Sequence, residues 1–309
     1  MRAAAIGRIL ALRVLGFAGT ILVAATLVVM LFAAAPGDAI DTLPNGEDVR
    51  AVLEGEWGLG GSFRSRVGTG LTRLTQGDFG ESLTFRPGVP VIDLVTTGAA
   101  ASAWLLVPAA LLSLGLAFAR PVAGVWLRAM SAVPMILATL GVVHGVNAGT
   151  WALVQRGWIE RPTWFALPEE AGLVRTTLAI LLLGFASAHF AQLVRRAAVE
   201  VHALETAAFV DAERARGGSV RWMMLRNLLV PAARVGADTL PALFSGLIVV
   251  ERAFNLPGAG TTFWSSCADR DWPLAAALAL AFAFSVALAR LAADALAIVV
   301  DPRARGATA

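Results

Sequence analysis

Charge is scarce in this sequence. Only 15% of its 309 residues are charged, against 57% hydrophobic, and the mean hydropathy is +0.71. A soluble domain carries about 25% charged residues to dress its exterior. The deficit runs along the whole chain, which points to lipid as the solvent for most of it. Lysine is absent: all 25 basic side chains are arginine. A Walker A loop needs Lys to reach nucleotide phosphates, so the glycines Gly55, Gly58, Gly60 and Gly61 do not form one. If ATP energises this protein, another chain hydrolyses it. The one cysteine, Cys267, excludes an internal disulfide framework and a Cys-rich metal site. His144, His189 and His202 lack metal-ligand spacing, and neither His-Glu-x-x-His nor Gly-x-Ser-x-Gly occurs. No catalytic residue, metal ligand or cofactor site is therefore expected. The net charge of +3 does not mark a nucleic-acid partner, because the arginines gather in short segments between apolar runs.

What remains is a series of those runs. A membrane-crossing helix needs about 20 mostly apolar residues. Val14–Ala35, Leu94–Ala119, Ala129–Thr150 and Thr176–Val194 qualify. Pro231–Val250, interrupted by Arg234 and Asp238, and Trp272–Val300, interrupted by Arg290 and Asp294, are two more. Backbone groups in hydrocarbon must be satisfied within the element, so the spans are predicted to be helices, with Pro108, Pro134 and Pro241 tolerated as kinks. The fold class is an all-α membrane bundle of about six helices.

Arginines flank the spans asymmetrically. Arg2, Arg8 and Arg13 precede the first span, Arg120 and Arg128 follow the second, and Arg303 and Arg305 follow the last. Arg195, Arg196, Arg214, Arg216, Arg221 and Arg226 lie between the fourth and fifth. With six spans all these segments share one side, which the positive-inside rule makes cytoplasmic, with both termini there. The N-terminal run is longer than the 7–15 residues of a signal-peptide core and reads as an anchor. Three blocks follow: 1–35, the tail and first helix; 36–93, a long polar outer loop; and 94–309, a five-helix core. The outer loop is either a small cap packed around Trp57, Phe63, Phe79 and Phe85 or a solvated linker.

The segment after the fourth span is the most informative. Glu205–Arg216 is Ala-rich with alternating charge and is predicted helical, Gly217-Gly218 stops it, and Val220–Val230 forms a second helical stretch before Pro231. On pattern alone this is an amphipathic connector. Phe209-Val-Asp-Ala-Glu-Arg-Ala-Arg-Gly217, however, resembles the "EAA" loop of ABC importer permeases, in the version of the dipeptide and oligopeptide (peptide/nickel) family. Ala35-Pro-Gly-Asp38 resembles that family's "PGD", and Gly77-Asp-Phe-Gly-Glu-Ser82 its "GDxGxS". Val250-Glu-Arg-Ala-Phe-Asn-Leu-Pro-Gly-Ala-Gly260 resembles "ETxFxxPGxG", Arg270-Asp-Trp-Pro273 resembles "RDxP", and Asp294 with Asp301-Pro-Arg-Ala-Arg305 resembles "D…DPRxR". The motifs occur in family order from the first span to the C-terminus. Glu213 stands where Ala is usual, Arg290 where Asn is expected, and the stretch from Gly217 to Pro231 is about one helical turn shorter than in the family.

The resemblance implies a non-catalytic permease subunit of a bacterial inner-membrane importer for peptides or a similar small solute. It implies a second permease, two ATP-binding cassette subunits, a periplasmic or lipid-anchored substrate-binding protein and surrounding lipid. It also implies that Ala208, Phe209, Asp211, Ala212, Arg214, Ala215 and Gly217 dock on the ATPase, with Gly217 the hinge. Glu251, Phe254, Pro257, Gly258 and Gly260 would line the outer mouth of the pore; a plain capped turn is the alternative. Arg234, Asp238, Arg290 and Asp294 are one turn apart in pairs at similar depth. They either pair across helices, Arg234 with Asp294 and Arg290 with Asp238, or snorkel separately to the interface. An ion-coupled secondary transporter would call for an internal repeat and midplane ionisable groups, and neither is visible. A membrane sensor is the reading left if no ATPase binds.

Overall fold

A computed structural model describes residues 2–35, 37, 62–119, 133–158, 160, 172–185 and 188–300. The motif residues Pro36, Asp38 and Asp301–Arg305, most of the outer loop including Trp57, and the flanking Arg120 and Arg128 lie outside the described residues. Ten helices follow one another among those described: α1 (Arg2–Ala33), α2 (Phe63–Thr75), α3 (Val91–Ala119), α4 (Met135–Gln155), α5 (Gly172–Phe185), α6 (Ala188–Glu205), α7 (Ala208–Ala215), α8 (Val220–Ala253), α9 (Ala259–Ala268) and α10 (Trp272–Val300). The described residues contain no strand, only one isolated bridge between Glu81 and Pro90.

Five helices are long and apolar enough to cross a bilayer: Leu10–Ala33 of α1, Val91–Phe118 of α3, and α4, α8 and α10. The bent pair α5 and α6 makes a sixth crossing only if the two helices together count as one span. The sequence predicts an unbroken helix over Thr176–Val194, but α5 and α6 run in directions 53° apart. Much of the apolar surface faces outward: Leu22, Leu31 and Trp104 are 66%, 65% and 79% exposed. Only lipid or another apolar surface suits such side chains. This is a multi-pass membrane protein.

The chain packs as two compact units, 1–13 with 103–256 and 289–309, and 14–102 with 257–288. In the first, α8 packs against α4, α5, α6 and α7. Its core gathers Ala117, Phe190, Ala191, Leu193, Val194, Ala197 and Val235, with Phe185 meeting Phe190 edge-on at 5.2 Å. Small residues set the spacing. A Cβ on Gly184 would lie 3.3 Å from the Ala109 carbonyl oxygen, and one on Gly246 would lie 3.1 Å from Leu183. Membrane helices associate through such close backbone approaches.

In the second unit Val91, Leu94, Ala259, Leu274, Ala277 and Leu278 form the core. The start of α9 sits on α3: the Ala259 N–H donates to Ser102 Oγ at 2.8 Å, and Gly98 leaves room for the Ala259 backbone. Phe32 and Trp272 stack at 5.6 Å, and the Trp272 indole N–H donates to the Gly37 carbonyl.

Two boundaries differ from the sequence expectation. The predicted helix Glu205–Arg216 is interrupted at Thr206-Ala207, where Ala207 is extended (ψ 134°). Thr206 turns its hydroxyl back onto the His202 carbonyl at 2.9 Å, a local bond that competes with helix continuation. Conversely, Val220–Val230 does not stop at Pro231 but continues to Ala253 as one helix. A proline inside a long membrane helix is tolerated where neighbouring helices support it.

Gly98→Leu is expected to lower the thermal unfolding midpoint in detergent, because its side chain meets backbone that cannot swing aside; overpacking of this kind costs about 1–3 kcal/mol. An unchanged midpoint would mean that α9 does not approach α3 at this point.

Candidate functional site

The chemistry-bearing residues fall into three places. The first is α7. It begins at Ala207 without a side-chain cap and ends at Arg216, where Gly217 takes φ +71°. The Gly218 N–H donates to the Glu213 carbonyl at 3.0 Å and the Gly217 N–H to the Arg214 carbonyl at 3.1 Å. This is the Schellman closure, which favours glycine at the left-handed position. Gly217 is thus the residue that ends α7 and redirects the chain toward Ser219, whose hydroxyl caps α8. Glu213, the departure from the usual Ala, lays its carboxylate across the space a Cβ on Gly218 would need. Val210 is fully buried and anchors α7, Phe209 is half-buried, and Ala208, Asp211, Ala212, Arg214, Ala215 and Gly217 are exposed. Asp211 and Arg214 pair with each other at 2.9 Å. The pair is more than half exposed, so its contribution to stability is small.

The second place is the charged layer of the first unit. Asp238 on α8 receives Arg290 of α10 at 3.2 Å and Arg196 of α6 at 3.6 Å. The expected Arg234–Asp294 pair does not form. Asp294 is held instead by Arg13 of α1 at 2.9 Å, and among the described residues Arg234 has no carboxylate partner. The reason is geometric: Arg13 enters the same layer from the N-terminal helix and reaches Asp294 first. Four helices are thereby linked by one layer of half-exposed charges.

The third place is the turn from Glu251 to Gly260. Glu251 and Phe254 belong to the first unit and are buried, 0% and 1% exposed. Helix α8 closes there by the same Schellman pattern, the Leu256 N–H donating to the Glu251 carbonyl at 2.8 Å, with Asn255 at φ +50°. Pro257, Gly258 and Gly260 belong to the second unit; Pro257 is exposed, the two glycines are buried, and Gly258 is extended ahead of α9. Backbone bonds close the turn at the end of α8. Arg175, which the sequence reading left just outside the fourth span, is buried in α5 with Nη1 3.4 Å from the Phe254 carbonyl oxygen.

Two residues that matter structurally were named in the sequence only as members of separate motifs. Ser82 and Asp271 meet: the Ser82 hydroxyl donates to Asp271 Oδ2 at 2.6 Å, and the N–H groups of Leu83, Thr84 and Phe85 converge on the same oxygen at 3.0, 3.2 and 3.2 Å. The other oxygen, Oδ1, accepts from Leu274 N at 3.4 Å in the first turn of α10. Asp271 is fully buried, and its charge is met by these oriented donors and by the helix N-terminus. No three metal-binding side chains cluster among the described residues. Burial pushes the Cys267 thiol up from its usual range, which favours the protonated form.

No family model matches the chain. Curated proteins do, along nearly the whole length. The glutathione transport system permease protein GsiC of Salmonella choleraesuis (strain SC-B67) is 28% identical over 303 residues, covering 95% of this chain and 97% of the relative. Its namesake in Escherichia coli (strain K12) is 28% identical over 304 residues with the same coverage. The chain is thus similar, from end to end, to permease proteins of a glutathione transport system. The similarity and the apolar helices together make the chain a transmembrane permease subunit.

Two predictions follow from this geometry. Asp271→Ala leaves four converging donors without an acceptor and is expected to cost about 3 kcal/mol or more, against about 1 kcal/mol for Ser82→Ala; chemical denaturation of the detergent-solubilised permease measures both. In the charged layer, Asp238→Arg should depress the yield of monodisperse permease and Arg290→Asp in the same chain should restore part of it. Arg13→Asp should rescue Asp294→Arg, whereas Arg234→Asp should not. Fluorescence-detected size exclusion reads these yields, and equal rescue of Asp294→Arg by both partners would contradict the pairing described.

Proposed function

We propose that this permease forms one half of the translocation pathway of an importer for glutathione or another short peptide. A second permease completes the pathway. Two ATP-binding cassette ATPases dock on its cytoplasmic face, and a periplasmic or lipid-anchored binding protein delivers the solute. Both termini are cytoplasmic, as the arginine distribution requires. The observation that carries the reading is α7: a short helix anchored by buried Val210, closed at Gly217, with Ala208, Asp211, Ala212 and Ala215 exposed and unoccupied by any other part of the described chain. A helix whose C-terminal end is closed by its own backbone and whose Asp211 and Arg214 already pair loses little there on docking into a groove of a partner.

Mechanistically, ATP-driven closure of the ATPase pair displaces α7. The displacement reaches α6, which precedes it after a two-residue break, and α8, against which it packs. Both carry members of the Arg196–Asp238–Arg290 cluster, so the nucleotide state biases which arrangement of that cluster is populated. The turn containing Glu251, Phe254, Pro257, Gly258 and Gly260 forms the outer mouth of the pathway. Its backbone closures keep it shaped while the spans shift.

The test is a mild-detergent pull-down of the tagged permease, with co-purifying proteins identified by mass spectrometry. Wild type is expected to recover an ATP-binding cassette ATPase. Gly217→Asp, which places a side chain at φ +71°, and Ala212→Arg, on the exposed face of α7, should each reduce recovery about tenfold, equivalent to ~1.4 kcal/mol of docking free energy. Ala212→Arg leaves the folded chain intact, so full ATPase recovery with it would remove α7 as the docking element.

A further inference from the structure

We propose that the unit formed by residues 14–102 and 257–288 holds a zwitterionic aminophospholipid, of the phosphatidylethanolamine kind, in a crevice between α1, α2, α3 and α10. Two contiguous cavities of this unit form the crevice. The upper one, about 430 Å³, is bordered by Arg73 of α2, by Asp78 and Glu81 of the following turn, and by Pro273 of α10. The lower one, about 370 Å³, is apolar, walled by Ile21 and Ala25 of α1, Ile92 and Val95 of α3, and Ala281 and Phe284 of α10. Leu74, Phe79, Ala277 and Leu280 border both, so the polar and apolar cavities adjoin across a shared wall of side chains.

The polar end is held in shape by backbone bonds. Gly77 (φ +72°) closes α2, and the Asp78 N–H donates to the Arg73 carbonyl at 3.0 Å, so these two residues cannot drift apart. Asp78 Oδ1 accepts from the Gly80 N–H at 2.9 Å, which holds this carboxylate at the border of the crevice. Arg73 makes no ion pair among the described residues. One guanidinium and two carboxylates thus face a single space. A phosphate matches Arg73, and an ammonium matches Asp78 and Glu81. At the other end, α1 supplies the wall, and none of its membrane-crossing stretch Leu10–Ala33 is buried. The apolar part therefore lies against a helix bathed in lipid tails, and an acyl chain enters sideways without crossing water. A soluble zwitterion such as a short peptide would satisfy the polar end and leave the lower cavity unfilled. Phosphatidylglycerol would satisfy Arg73 through its phosphate but bring only a neutral glycerol, with no cation, to Asp78 and Glu81. The inference rests on the membrane assignment alone, so failure of the ATPase pull-down leaves it standing.

The test uses the full-length permease with whatever subunits co-purify. It is delipidated in detergent and offered phosphatidylethanolamine, phosphatidylglycerol or both, with retained lipid counted by native mass spectrometry. Wild type is expected to retain one phosphatidylethanolamine with about tenfold preference over phosphatidylglycerol, ~1.4 kcal/mol. Arg73→Gln should lower occupancy about tenfold and Arg73→Lys should keep it. Asp78→Asn with Glu81→Gln should abolish the preference between headgroups. Ala25→Phe should reduce occupancy by filling the apolar part from a lipid-facing helix, without touching a charge. Wild type retaining no phospholipid, or preferring phosphatidylglycerol, would overturn the proposal. So would Arg73→Gln and Ala25→Phe retaining lipid as wild type does, or displacement of the lipid by a soluble dipeptide.

Discussion

A chain that lives in hydrocarbon has nowhere to send an unpaired N–H or C=O, and the way its helices end follows from that. Five ends among the described residues close with the same two backbone bonds, turning at Gly77, Gly157, Gly217, Asn255 and Arg270. Glycine adopts the left-handed turn freely and asparagine tolerates it. Arginine does not, at a cost of roughly 1–2 kcal/mol. Arg270 holds φ +55° all the same, because the closure puts the next residue, Asp271, where its N–H meets the Ser266 carbonyl at 2.8 Å and its carboxylate meets five donors. The strain at one residue is offset by the buried anchor it creates at the next.

The sequence is most legible where lipid imposes a single rule. Val14–Ala35 and Leu94–Ala119 need only be long and uncharged to be read as spans, and α1 and α3 follow them closely. Legibility falls where competing local bonds decide. Nothing in the composition of Glu205–Arg216 announces that Thr206 will bond back to His202 and cut the helix, and nothing in Thr176–Val194 announces a division between α5 and α6. The family resemblance located α7 more sharply than helical propensity did, because Gly217 fixes its C-terminal end whatever happens at its start.

Partnerships across long separations were the least visible. Asp238, Arg290 and Asp294 were recognisable as charges needing company, yet pairing by depth alone overlooked Arg13 and Arg196, which reach the same layer from α1 and α6. Ser82 and Asp271 stood in two separate motifs, and only the folded chain brings the hydroxyl onto the carboxylate. Sequence patterns record which residues are present. Which oxygen faces which donor depends on helix rotation, and that is fixed by small contacts such as those at Gly98 and Gly184.

The bond between Arg13 and Asp294 has a consequence in time. Its partners stand 281 residues apart in the chain, and α10 is made long after α1. While the intervening helices are synthesised, Arg13 must wait at the membrane surface, held by water and lipid headgroups. The layer that links α1, α6, α8 and α10 therefore closes only after α10 has been made. A chain truncated before Asp294 would carry its first helix without that tether, and so would present the cell's membrane proteases with a free end that the finished protein ties down.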